Sequence, residues 1–167
     1  MITPDHYLDS VERLLLERFP GTRIYRNLIP EDFARPSHAL YVTAWGVNPA
    51  SIGALTMDLT VLIRSFVAVD AYHMSDFSAL YRQAMRVMGI FAPGYLRVSD
   101  PDTGAVRVPK VTELGCPVVT ADYTEVTAKL SMQISRANFD GTAETVPMVD
   151  TVTVHATYTT MTEEVPE

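Results

Sequence analysis

A chain of 167 residues, 47% hydrophobic and 20% charged, is long enough for one domain with its own core and has the composition of a folded protein. Its formal net charge of -7 argues against a general affinity for nucleic acid, which needs clustered Lys and Arg, and keeps free subunits soluble. The single cysteine, Cys116, excludes an intrachain disulfide framework and a multi-cysteine metal site.

The opening Met1-Ile2-Thr3-Pro4-Asp5-His6 lacks a basic region followed by an apolar run, so it does not read as a signal peptide. Thr3 suits an N-cap, Pro4 a first helical position, and Asp5 the positive end of the helix dipole. Tyr7, Leu8, Val11, Leu14, Leu15 and Phe19 then recur at helical spacing, with Asp9, Glu12, Arg13 and Glu17 facing away. This predicts an amphipathic helix over 4–18, stopped by Pro20-Gly21. A short strand over 23–26 and a turn-rich passage over 29–37 lead to a strand over 38–45 and a turn at Asn48-Pro49-Ala50. From 52 to 67 the chain reads as extended. Met57, Leu59, Val61 and Ile63 point one way, and Thr56, Asp58, Thr60 and Arg64 the other. Leu62 breaks that alternation, which implies partial cover on the second face. The most apolar stretch, about 59–69, is broken by Arg64 and flanked by Asp58 and Asp70, too short and too charged to span a bilayer. Ser75 and Asp76 open a second helix, with Phe77, Leu80, Tyr81, Ala84, Val87 and Met88 expected on its buried stripe and Gly89 at its end.

Residues 92–120 are the least regular. Asp100-Pro101-Asp102-Thr103-Gly104 is a turn signal between two β-forming runs, read as a projecting hairpin because Pro93, Pro101, Pro109 and Pro117 disfavour a central strand. In the last third, Val126, Ala128, Leu130, Met132 and Ile134 alternate with polar residues. So do Val152, Val154, Ala156 and Tyr158, and both runs predict antiparallel strands with one polar face. Residues 138–147 read as a loop and 161–167 as a frayed tail. The expected architecture is α+β: a single domain over 1–167, with two helices on one face of a mainly antiparallel sheet of about five strands, plus the hairpin.

Chemistry is sparse. There is no Gly-rich phosphate loop, no H-E-x-x-H and no G-x-S-x-G. His6, His38, His73 and His155 are scattered, and Cys116 has no base to activate it, so it reads as a buried or half-buried apolar residue. Asp70 with His73 reads as a helix-entry turn, and the adjacent Glu31 and Asp32 point apart on extended backbone. No catalytic, cofactor or metal set emerges, and the chain reads as non-enzymatic. The Thr-, Ser- and Gln-rich strand faces, with Lys129, Gln133 and His155, fit two readings. One is a wet face of good β-formers; the other is a surface that meets a neighbouring subunit or lines a channel.

Several residues in 2–41 carry a resemblance. Ile2-Thr3 precedes the helix, Phe19-Pro20 ends it, and Ile24-Tyr25 lies in the next strand. Glu31-Asp32-Phe33-Ala34-Arg35-Pro36-Ser37 then leads into an apolar strand. This segment resembles the phage tail terminator family of siphovirus and prophage genomes, with Phe-x-Arg-Pro-Ser the most specific part. Beyond residue 45 only the order of elements matches. Asp32 stands where the family usually has Gly, and 92–120 is longer. The resemblance implies a virion structural protein of the tail neck, assembled in the host cytoplasm. Its subunits would form a homohexameric ring that ends the tail tube and joins it to the head. The implied partners are other copies of itself, the tail tube protein and the head–tail connector protein, with genomic DNA sliding through the lumen without specific binding. Candidate interface residues are Phe33 and Arg35 from this segment, Asp102 and Arg107 from the hairpin, and Lys129, Gln133 and His155 from the polar faces. Pro36 holds Arg35 extended, ready to pair with a carboxylate of its own chain or a neighbour's. Other readings are a head–tail adaptor or tail-completion protein, a monomeric protein-binding module, and a small enzyme.

Overall fold

In a computed structural model, which describes residues 2–101 and 103–136, the first helix runs Pro4–Arg18 (α1), the span its periodicity predicts. The Thr3 N–H donates to His6 Nδ1 at 3.1 Å and the His6 N–H to the Thr3 carbonyl at 3.1 Å, closing the helix start. Tyr7, Leu8, Val11 and Leu15 are buried on one face, and Phe19 turns in behind them. Gly21, at φ +79°, then reverses the chain in a conformation that a side chain would strain.

The elements that follow are β1 (Arg23–Arg26), β2 (Ser37–Pro49), β3 (Ala54–Phe66), α2 (Phe77–Met88), β4 (Val98–Ser99) and β5 (Val106–Arg107). The described chain then closes with β6 (Lys110–Leu114), β7 (Val118–Val119) and β8 (Thr124–Ser135). Six of these strands form one sheet in the order β1-β2-β3-β8-β6, with β7 also on β8. Only β1 and β2 are parallel; the other pairs are antiparallel. The fold is therefore α+β, with two helices and a mainly antiparallel sheet. The sheet gains strands from residues 110–119, read from sequence as irregular: β6 and β7 are short pieces that share one edge of β8. The β2–β3 ladder extends to Pro49 opposite Leu55, so Asn48 and Pro49 end the strand and residues 50–53 make the turn. Pro49 is tolerated there because a strand end needs no further ladder donor.

Period-two burial organises the core. Leu55, Met57, Leu59, Val61 and Ile63 of β3 and Val126, Ala128, Leu130 and Met132 of β8 face the helices, with Leu80, Ala84 and Val87 of α2 buried on the same side. The expected α2 stripe needs correction. Phe77 and Tyr81 are 50% and 57% exposed, because the helix carries two apolar stripes and only Leu80-Ala84-Val87 meets the sheet. Phe77, Tyr81 and Met85 lie one helical step, about 100°, round from it. Asp76 caps α2, its Oδ1 accepting the Ser78 N–H at 3.0 Å. Cys116 is exposed rather than buried. It sits in the turn between β6 and β7, after the Gly115 N–H makes its bond to the Thr127 carbonyl and before Pro117, which has no N–H to continue the ladder.

The hairpin is a two-residue pair, Val98 opposite Arg107 and Ser99 opposite Val106. Its first strand does not project: Leu96 and Val98 are buried in the main core, because they alternate with Arg97 and fall on the apolar side. Val106 and Arg107 form its exposed side. Asp102, the expected loop over 138–147, the expected strand over 151–159 and the tail lie outside the described residues. Among the described residues no helix is long and apolar enough to cross a membrane.

Candidate assembly surface

The sheet face opposite the core is built by the even residues of β3 and the odd residues of β8. Across the ladder Thr56 faces Gln133, Asp58 faces Ser131, Thr60 faces Lys129, Leu62 faces Thr127 and Arg64 faces Glu125. On the β2 side the row continues through Asn48, Gly46 and Ala44. Most of these side chains are neutral, and the four charged ones, Asp58, Lys129, Arg64 and Glu125, are each hydrogen-bonded or ion-paired within the chain. Asp58 accepts from Ser131 Oγ at 2.6 Å and Asn48 Nδ2 at 3.1 Å. Lys129 Nζ lies 2.5 Å from Glu113 Oε2. Arg64 Nε donates to Glu125 Oε1 at 2.8 Å.

One end of this face is closed by the loop carrying Phe33 and Arg35. Phe33 packs on Phe66 with ring centroids 4.4 Å apart, and Phe66 meets Tyr123 at 5.9 Å. The Arg35 guanidinium lies 5.0 Å from the Phe33 ring centroid and 5.1 Å from that of Phe66, and pairs with the Asp122 carboxylate. Arg64 stacks over Tyr123 at 4.5 Å and approaches Tyr41 at 5.8 Å. The two cations sit against aromatic faces while holding carboxylates. Arg35 therefore finds its carboxylate within its own chain. This cluster is also the partial cover that Leu62 foreshadowed.

At the other end a cleft of about 700 Å³ opens between the start of α1, the far ends of β2, β3 and β8, and the turn after β4. Its walls are largely apolar, from Ile2, Trp45, Met57, Met132 and Ile134, with Arg107 and Gln133 at the polar margin. The described candidate residues thus separate. Phe33 and Arg35 lie at one end, Arg107 and Gln133 at the other, about 33 Å away along ten residues of strand. Lys129 lies between them, already paired. Asp102 and His155 are outside the described residues.

A buried His–Ser pair lies elsewhere, within the packed region. His38 Nδ1 is 2.8 Å from Ser65 Oγ, its Nε2 is 3.4 Å from Gln83 Nε2, and its ring packs on Phe19 at 4.7 Å. Burial, with a smaller contribution from the Arg86 charge, pushes the imidazole down to about 4. His38 and Ser65 are both fully sealed from solvent, so the pair ties β2, β3 and α2 together and presents no reacting atom. Asp70 makes the turn its sequence context suggested, its Oδ1 accepting the N–H groups of Tyr72 at 2.8 Å and Met74 at 2.9 Å.

Sequence reasoning did not single out Tyr41, Asp122, Tyr123 and Glu125. Arg64 and Glu125 were legible as polar-face residues of two strands, but strand pairing and register were needed to join them. The exposed Phe77-Tyr81-Met85 stripe was legible as an i, i+4, i+8 series beside a second series, Leu80-Ala84-Val87.

No protein-family profile matches this chain, and no curated protein does. Among solved structures, one protein known only by an identifier aligns at 14% identity with a TM-score of 0.41, over 81% of this chain and 97% of that one. So loose an alignment assigns no family.

Proposed function

We propose that this chain is a phage tail-terminator-type subunit, which assembles into a ring at the head-proximal end of the tail tube, stops tube growth and joins tail to head. The observation that carries an assembly role is the bare sheet face: mostly neutral hydrogen-bonding side chains, with Arg64, Glu125 and Lys129 in ion pairs inside the chain and Asp58 hydrogen-bonded by Ser131 and Asn48. Burying such a face against a neighbour desolvates few unpaired charges, and unpaired charge is the large cost of desolvating an ordinary polar surface. A ring needs a head-to-tail contact between two different patches of each subunit. The sheet face and the exposed stripe of α2 lie on opposite sides of the sheet and offer two such patches. The terminator assignment rests on the resemblance over residues 2–41, and the net charge of -7 suits a lumen through which DNA slides. On this reading the chain has no catalytic step and no cofactor. Its partners are its own copies, the tube protein and the head–tail connector.

Light scattering over a concentration series, with and without purified tail tubes, tests the reading. The expected species is a ring of about six times the 18.5 kDa chain, formed alone or on tube ends. A monomer that neither self-associates nor binds tubes, or a closed dimer, would overturn it.

A further inference from the structure

The outward face of α2 joins an apolar stripe to a basic one. Phe77, Tyr81 and Met85 recur every fourth residue, and all three are exposed. Beside them stands Arg82. At the C-terminal end the Arg86 guanidinium stacks over Phe19 at 4.3 Å and donates to the Arg18 carbonyl at 2.8 Å. The Arg18 guanidinium lies against Gly89, just past the helix, where an added Cβ would come within 3.1 Å of it. Among the described residues neither Arg18 nor Arg86 is ion-paired, and Arg82 has only a 3.9 Å contact with Asp76, both side chains well exposed. The helix itself contains no carboxylate. A chain of net charge -7 thus presents here an aromatic and methionine stripe edged by three arginines. Aromatic residues, Met and Arg are the side chains that protein interfaces concentrate.

The complementary surface is on the same chain, at the other side of the sheet. β1 is the edge strand beyond β2, and the loop that leaves it exposes Leu28, Pro30, Glu31 and Asp32. Leu28 is 76% exposed, and among the described residues neither Glu31 nor Asp32 is ion-paired. The loop then turns in at Phe33 and Arg35, which close one end of the polar sheet face, so residues 28–32 border that face. α2 packs instead over β8, β3 and β7, toward the far edge, and the fold holds the two patches apart within a subunit. Their dimensions agree. Leu28 lies three and four residues from Glu31 and Asp32, a reach of at most about 14 Å. Tyr81 and Arg86 are separated by about 7.5 Å of helix rise. Resting on the ring reading, we infer that the 28–32 loop of one subunit seats on the outward face of α2 of a second copy. Leu28 meets Phe77 and Tyr81, and Glu31 and Asp32 meet Arg82 and the Arg18–Arg86 pair. Charge selects this occupant. The sheet face alone cannot answer the arginines, because its Asp58 and Glu125 are already bonded within the chain, whereas the loop on its border brings two carboxylates and an exposed leucine. Contact between two different patches is head-to-tail, the kind that closes into a ring.

Two variants of the full-length chain separate the patches: Tyr81→Glu disables the helix face and Leu28→Glu the loop. Both positions are exposed, so melting temperatures within a few degrees of the unmodified protein show that each variant keeps its fold. Light scattering over one concentration series compares the unmodified chain, each variant alone and their equimolar mixture. The expected result is assembly of the unmodified chain and monomers of each variant alone. The mixture should give a species of twice the 18.5 kDa chain, because the intact loop of one variant meets the intact helix of the other and no further contact is left. A mixture that stays monomeric would overturn the inference, as would an unmodified chain that never assembles over the series. Assembly lost in Tyr81→Glu but kept in Leu28→Glu would give α2 a different partner and overturn it too. The ring reading is tested apart from the contact. Six-fold rings that persist in both variants sink the contact and leave the ring. Open chains of growing mass from the unmodified protein, cut to monomers by each variant and to dimers in the mixture, sink the ring and leave the contact.

Discussion

His38 is neutral in the folded protein down to a pH of about 4, whereas an unfolded imidazole takes up its proton near 6.5. Above pH 6.5 neither state holds that proton, and the His38 contribution is fully present. Between 6.5 and 4 the unfolded chain binds it and the folded chain does not, so stability falls as pH falls through that window. The expected loss from this group between pH 7.5 and 5 is about 2 kcal/mol. Urea unfolding at both values, compared with His38→Gln, checks it: the variant should be less stable at pH 7.5 yet show a flatter pH dependence. Equal slopes in the two proteins would remove His38 as the cause. Tyr7 shows another consequence of burial. Its hydroxyl has no hydrogen-bond partner among the described residues, and burial first, then the Asp58 charge, pushes it up to about 12. Neither property was visible in the sequence, where His38 is one of four scattered histidines and Tyr7 one of several apolar positions on a helix.

At the scale of elements, α2 shows how far periodicity reaches. The sequence places a helix at the right residues and offers two apolar stripes, and only docking on β3 and β8 selects one. Leu80 is fully buried, so Leu80→Ala is expected to cost about 2–5 kcal/mol in transfer and cavity terms. Tyr81→Ser, on the exposed stripe, should change stability by only about 0.5 kcal/mol. Denaturant midpoints of the two variants decide the matter, and the reverse order would mean that the helix seats its other face. α1 was easier to read, since Thr3, Pro4 and Pro20-Gly21 mark its ends and a single stripe its buried side. The hairpin was misjudged because proline content argues against a central strand but says nothing about whether the flanking residues, Leu96 and Val98, are buried.

For the whole molecule, the proposed ring makes the open sheet face an interface rather than a wet surface. Thr56→Glu combined with Thr127→Glu would put two unpaired carboxylates on that face, where their desolvation opposes association. The monomer should keep its fold, with a melting temperature shifted by only a few degrees, because neither side chain is in the core. Ring mass by light scattering should fall to that of smaller species; intact rings in this variant would place the contact elsewhere. By itself the sequence determined the class of the fold, the positions of both helices and the long strands, and which face of each strand is buried. Those follow from local periodicity, since a side chain's face depends only on its neighbours along the chain. The tertiary structure decided which strand borders which, that Arg35 and Arg64 meet Asp122 and Glu125, which stripe of α2 stays exposed, and that β2 outruns its neighbour β1 along nine residues of edge. These depend on register and on contacts between residues far apart in the chain, which no local pattern encodes.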